Sequence, residues 1–212
     1  MTDLATIVLL LGSYDKETKE ILDKIKEEIA EMSTYYDELI FTLLLEDVEI
    51  YRTEEDDICV EKFNGKATFI IFHKNSLKVK DVLDFDAKDE EDIINILKDR
   101  LGYKSPIKVP ILEKLRILAT VSSLIFVIRH KELTRCGEYI ELAFLLGRGL
   151  APHTVYMLVN KEIEVSAMLK ELIDYAEIHF RVYENEDDLI ETVRRIVYYK
   201  VIEESRRLSD RE

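Results

Sequence analysis

Leu4-Ala5-Thr6-Ile7-Val8-Leu9-Leu10-Leu11-Gly12-Ser13 is a near-continuous apolar run closed by Gly-Ser. That is how a strand buried on both faces reads, and such strands belong to parallel sheets. From Asp15 to about Met32 the apolar period becomes helical, with Ile21, Ile25 and Ile29 four residues apart. Leu39 to Leu45 is a second apolar run of strand length. Strand, helix, strand is the repeating unit of an α/β fold.

The second half of the chain repeats this alternation. Leu112, Leu115, Leu118 and Ala119 make a helical stripe, and Leu124 to Ile128 a short buried strand. A helix over Gly137 to Gly147 follows, then a strand at Val155 to Val159 and a helix at Glu164 to Tyr175. A strand at Ile178 to Tyr183 and a final helix from Asp187 to about Glu204 end the pattern. Right-handed crossovers put such helices on both faces of the sheet. The expected fold is therefore a doubly wound, mostly parallel α/β sheet of about five strands in flavodoxin-like order.

The middle differs. Asp57 to Phe63 and Ala67 to His73 are β-prone runs joined across Asn64-Gly65, the strongest short hairpin signal. Asp81 to Arg100 is very acidic, with a helical stripe of Ile93, Ile94 and Leu97 that Gly102 ends. Tyr103 to Pro110 reads as a linker. The expectation is one α/β domain over 1–212, carrying an insertion at 46–108 built of a β-hairpin and an acidic helix.

Composition narrows the function. Among 212 residues there are 30 Lys+Arg against 44 Asp+Glu, a formal net charge of −14. That balance argues against long nucleic acids, which are bound through clustered cations. Two cysteines, Cys59 and Cys136, share no ligand spacing, and the four histidines share none either, so neither a disulfide framework nor a metal site is expected. No apolar run reaches the roughly 18 residues of a membrane span, and Met1 to Asp3 do not begin a signal peptide. A reduced, cytoplasmic, soluble protein with no membrane partner and no cofactor is the simplest reading. The chain has no Gln, and its Glu/Lys surplus suits a heat-adapted source.

In an open parallel sheet, ligands sit at the carboxyl ends of the strands beside the switch in strand order. Two loops qualify. Gly12-Ser13-Tyr14-Asp15 follows the first strand; Gly12 permits close backbone approach, and Ser13 and the next helix N-terminus offer donors to an anion. The plainer reading makes Ser13 or Asp15 a helix N-cap. The second loop, Arg129-His130-Lys131-Glu132-Leu133-Thr134-Arg135-Cys136-Gly137-Glu138, follows the Leu124–Ile128 strand and is where the acidic chain turns locally basic. It leads into Tyr139-Ile140-Glu141-Leu142-Ala143, where Glu141 sits among apolar neighbours, a setting that raises a carboxylate's pKa and reactivity. Glu138, nearer the helix start, is the better candidate for a carboxylate favoured by the helix dipole. Tyr35-Tyr36 and Tyr198-Tyr199 read as packing at a core edge or as a contact between copies, which admits a homo-oligomer.

Gly137-x-x-x-Glu141-Leu142, followed by Gly147 to Gly149 and a strand, resembles the nucleoside 2-deoxyribosyltransferase superfamily, as does the Leu11-Gly12-Ser13-Tyr14 strand end. The run Thr134-Arg135-Cys136-Gly137-Glu138-Tyr139-Ile140-Glu141 is also similar to the glutamate-bearing segment of TIR-like NAD-cleaving domains. The resemblance implies that Glu141 is the nucleophile at a sugar's anomeric carbon, with Gly12, Ser13, Tyr14, Gly137 and Glu138 about the ligand. It implies an N-glycosidase or a deoxyribosyltransferase-like enzyme acting on a small nucleotide or nucleoside. Where the family carries an acidic residue near the third strand, this chain has Ser122-Ser123 and then Arg129-His130. Arg129, His130 and Arg135 suit a phosphate-bearing nucleotide, and His130 is the candidate general acid for the leaving base. The alternative expectation is a non-catalytic nucleotide sensor, or an interaction domain that keeps the fold alone.

Overall fold

Sheet architecture was obtained from a computed structural model that describes residues 5–13, 15–36, 39–63, 66–74, 76, 78–131, 137–147, 149 and 154–209. β1 (Ala5–Gly12), α1 (Lys16–Tyr36) and β2 (Leu39–Leu44) come first. Then follow β3 (Val48–Arg52), β4 (Asp56–Phe63), β5 (Lys66–His73), β6 (Val79–Asp86) and α2 (Glu90–Asn95), which runs into a π-helical turn over Ile96–Arg100. β7 (Ile107–Lys108), α3 (Ile111–Val121), β8 (Leu124–Arg129), α4 (Gly137–Gly147) and β9 (Val155–Asn160) come next. The last three are α5 (Ala167–Tyr175), β10 (His179–Tyr183) and α6 (Glu186–Ser209).

These elements fall into two compact units, Thr6–Thr42 with Ser122–Glu212, and Leu43–Val121 with Met1–Ala5. The first is organised on a sheet of order β10-β9-β8-β1-β2. Counting only these strands along the chain, the order is the flavodoxin-like one, and β1–β8, β8–β9 and β9–β10 pair in parallel. Burial explains why its strands are legible as apolar runs. All six residues of β8 are buried, as is β1 from Thr6 onward. In α1 the buried Ile21, Leu22, Ile25, Ile29 and Met32 recur at helical spacing on one face. Asp15 caps this helix, its carboxylate accepting from the Thr18 amide at 3.3 Å and the Thr18 hydroxyl at 2.6 Å. One donor of the first turn is thereby satisfied, as the plainer reading of the loop expected.

The second unit is an antiparallel sheet of order β6-β5-β4-β3-β7. β4 and β5 are the expected hairpin arms, paired from Asp56↔His73 to Phe63↔Lys66; their Asn64-Gly65 turn lies outside the described residues. The sheet extends well beyond a hairpin. The acidic segment does not begin as a helix: Val79–Asp86 is β6, paired along β5 with a register shift at Ile71/Phe72. The expected helical stripe falls later, Ile93 and Ile94 in α2 and Leu97 in the π-helical turn. Leu83 and Phe85 pack against the core while Asp81, Asp84 and Asp86 decorate a sheet edge, where charge blocks unwanted strand pairing. Within the stretch expected as a linker, Ile107–Lys108 forms β7 against β3. The core of this unit is Tyr51, Ile58, Val60, Phe69, Ile71, Ile93 and Leu97. α3 contributes a buried Lys114, whose ammonium donates to the Val48 carbonyl at 2.8 Å.

Candidate functional site

Strand order reverses between β1 and β8, so the loops that leave these two strands flank the crevice of the first unit. Gly12 stands opposite Ile128 in the register. A Cβ at Gly12 would lie 3.1 Å from the Ile128 carbonyl oxygen and 3.4 Å from Leu22 Cδ1, so this glycine is required by strand and helix packing. Ser13 and Arg129 therefore leave the sheet from adjacent strand ends.

Ion pairs join the two loops. Lys131 Nζ lies 2.8 Å from both Asp15 Oδ1 and Glu17 Oε2, and His130 Nε2 lies 3.8 Å from Glu17 Oε1. Burial opposes ionisation of Asp15, but hydrogen bonds from Lys131, Thr18 and Ser13 outweigh it and hold its pKa well below the carboxylate range. The Lys131 bond likewise lowers Glu17, and the two carboxylates raise Lys131. The basic character expected of the second loop is thus partly compensated: of its cations, Lys131 is shared between Asp15 of the first loop and Glu17 of the first turn of α1.

Arg129 ends β8 and is only 8% exposed. Its guanidinium carbon sits 4.4 Å from the centre of the Tyr139 ring, a cation–π contact that ties α4 to the strand it packs against. Gly137 opens α4, and Glu141 follows on its second turn. Glu141 is half-buried, and its Oε2 is shielded from solvent. Leu142 and Leu145 anchor α4 to the core, whereas Ile140 is 68% exposed, so the helix is apolar without being engulfed.

His130 is held from the opposite side. Its Nδ1 lies 3.1 Å from the Tyr183 hydroxyl, the two ring planes lie 9° from parallel with their centres 6.3 Å apart, and the same hydroxyl donates to the Arg129 carbonyl at 3.2 Å. Tyr183 ends β10 and is buried, which pushes its phenol pKa upward.

The structure thus brings Ser13, Arg129 and His130 to one edge of one sheet, with Glu141 on the second turn of α4, the helix whose Tyr139 meets Arg129. Tyr14 and Arg135 lie outside the described residues, as does the side chain of Glu138. Asp15, Glu17, Lys131, Tyr139 and Tyr183 complete the cluster without having been singled out as ligand-binding. The only sequence signal for Tyr183 was its place at a strand's carboxyl end. Two clefts among the described residues lie elsewhere. A groove of about 620 Å³ between α1 and α6 is lined by Tyr35, Arg194, Arg195, Tyr198 and Tyr199. A smaller one of about 270 Å³ includes Ser123, Tyr156, His179, Arg181 and Lys200, away from the strand carboxyl ends. Among the described residues no group of three or more His, Cys, Asp or Glu is placed to hold a metal ion. No described helix is long and apolar enough to cross a membrane. No protein-family model and no curated protein sequence matches the chain.

Proposed function

We propose that the carboxyl edge of the parallel sheet binds a nucleotide or nucleoside and that Glu141 acts at its N-glycosidic bond. The observation that supports this best is a half-buried glutamate, one oxygen withdrawn from water, on the helix that Arg129 and Tyr139 tie to a switch-point strand. In such a reaction the bond between the anomeric carbon and the base nitrogen breaks, and its electron pair leaves with the base. The sugar becomes oxocarbenium-like, and the Glu141 carboxylate stabilises it or bonds to the anomeric carbon. His130 delivers a proton from Nε2 to the departing nitrogen. Water, or a second base, then attacks the anomeric carbon, giving its proton back to His130 Nε2, while the sugar–Glu141 bond breaks and its electrons return to the carboxylate. Ser13 and the α1 N-terminus supply donors to the hydroxyl or phosphate oxygens of the ligand. Arg129, buried beneath Tyr139, serves to seat α4.

The test is chromatographic detection of free base from a panel of nucleosides, nucleoside monophosphates and NAD. Wild-type protein is expected to release base from at least one of them. Glu141→Gln, with its circular dichroism unchanged, is expected to slow release by on the order of 10³-fold or more.

A non-catalytic sensor using the same loops is the second reading, favoured by the mutual pairing of Lys131 with Asp15 and Glu17. An incoming phosphate would compete for that lysine and loosen the two carboxylates. This reading predicts a rise in melting temperature with a nucleotide that is not consumed.

A further inference from the structure

The hydroxyl of Tyr183 has one hydrogen to give, and two neighbours stand within reach of it. One is the Arg129 carbonyl oxygen at 3.2 Å, which can only accept. The other is His130 Nδ1 at 3.1 Å, which accepts or donates according to its tautomer. If the phenol gave its hydrogen to Nδ1, its oxygen would face the carbonyl oxygen, lone pair against lone pair, in a buried setting where an unmatched polar contact is costly. One arrangement satisfies all three groups: the phenol donates to Arg129, and Nδ1–H of His130 donates to the phenol.

We infer that Tyr183 is a positioning residue that holds neutral His130 as the Nδ1–H tautomer, leaving Nε2 as the nitrogen that gains and loses a proton. The geometry on the other side of the ring agrees. Nε2 is directed toward the first turn of α1, with Glu17 Oε1 at 3.8 Å. Lys131 meets the other oxygen of the same Glu17 carboxylate at 2.8 Å. Turning the imidazole over would put a ring carbon where Nδ1 stands and forfeit the bond to Tyr183. Burial, which raises the Tyr183 phenol, keeps its hydrogen in place across the physiological range. The chain Arg129 C=O, Tyr183 O–H, His130 Nδ1–H therefore orients a base or acid whose working atom is Nε2. Its use in delivering a proton to a leaving base rests on the function proposed above; the tautomer does not.

The tautomer is read directly by long-range ¹H–¹⁵N correlation of the imidazole rings, with the His130 signals assigned by their loss in His130→Gln. At a pH where His130 is neutral, the wild-type protein is expected to show a protonated Nδ1 and an unprotonated Nε2. In Tyr183→Phe, which keeps the ring and removes the hydroxyl, the population is expected to move toward Nε2–H, the form an unconstrained histidine favours. A wild-type spectrum with Nε2–H overturns the inference, and this holds whether or not the variant folds. A folded Tyr183→Phe protein whose His130 pattern is unchanged overturns it as well. Base release is measured in parallel on the same samples. In an active enzyme Tyr183→Phe should lower kcat and alter its pH profile with little change in KM, whereas absence of release by wild-type protein counts against the proposed reaction and leaves the spectroscopic result to decide the tautomer.

Discussion

Asp56 in the antiparallel unit and the Asp15–Lys131–Glu17 cluster in the parallel unit are both carboxylates paired with lysine, in very different surroundings. The Asp56 side chain is 1% exposed and is enclosed by local partners. Lys80 and the Tyr103 hydroxyl each donate to Oδ2 at 2.8 Å, and His73 Nδ1 approaches Oδ1 to 3.4 Å. Its backbone is closed by Thr53, whose hydroxyl donates to the Asp56 carbonyl at 2.9 Å and accepts from its amide at 3.0 Å. The lysines are alike, Lys80 40% and Lys131 35% exposed, but Glu17 is 62% exposed where Asp56 is enclosed. A buried carboxylate surrounded by donors from its own sheet is part of the framework. A ring of paired charges at the open edge of a parallel sheet contributes little to stability and can exchange its partners for a ligand.

This contrast breaks if the two sites respond alike to mutation. Asp56→Ala leaves the Tyr103 hydroxyl without its acceptor and frees Lys80 to solvent, and is expected to cost about 2–3 kcal/mol in urea unfolding of the intact chain. Gly12→Ala brings a methyl against the Ile128 carbonyl oxygen at 3.1 Å and is expected to cost about 1–3 kcal/mol in the same assay. It tests whether this glycine is required for packing rather than reserved for a ligand.

Acid probes the paired carboxylates of both units. Glu113 is held down to a pKa of about 2 from 4.5 by hydrogen bonds from Arg116 and Arg52, against the opposing effect of burial. Asp56 and Asp15 are lowered too, burial opposing and donors prevailing. Each is more acidic folded than unfolded, so its stabilisation is fully present above the unfolded pKa and drains as pH falls through the folded one. Thermal unfolding temperature is expected to fall for Glu113 between pH 4.5 and about 2, and Glu113→Gln should make that descent shallower. The smallest effect belongs to the open cluster: Lys131→Met is expected to change stability by less than about 1 kcal/mol, while weakening any anion that binds there.

The same contrast governs what could be read from the chain. β8 and β1 are covered on both faces, so hydrophobicity alone marks them. β6 lies at an edge with Asp81 on the face of Leu83 and Phe85 and Asp84 and Asp86 on the other, so acid on both faces masks its alternation. β3 is only five residues long and carries Glu49 and Arg52 among its apolar positions, and β7 is two residues long; neither offers a periodic signal. The division between units at Thr42/Leu43 falls inside the apolar run of β2, where no composition shift marks it. That Gly12, Arg129 and His130 stand at or just after strand ends was legible, because the loops of a parallel sheet converge at the switch point. Tyr183 was not, because the β8-β9-β10 order alone brings it to His130 across 53 residues of sequence. Tyr139 was hidden for another reason: an aromatic residue in an apolar helix reads as core, and its role under Arg129 depends on a buried cation at the end of the neighbouring strand.

The claim that the open edge does chemistry while Asp56 serves the framework meets its most direct test in one comparison. Free base released from nucleosides, nucleoside monophosphates and NAD is measured for wild-type protein and for Glu141→Gln, each shown to be folded. Release by the wild type and its loss, on the order of 10³-fold or more, in the variant is the predicted result. No release from any of these substrates, or equal release by the two proteins, would contradict it.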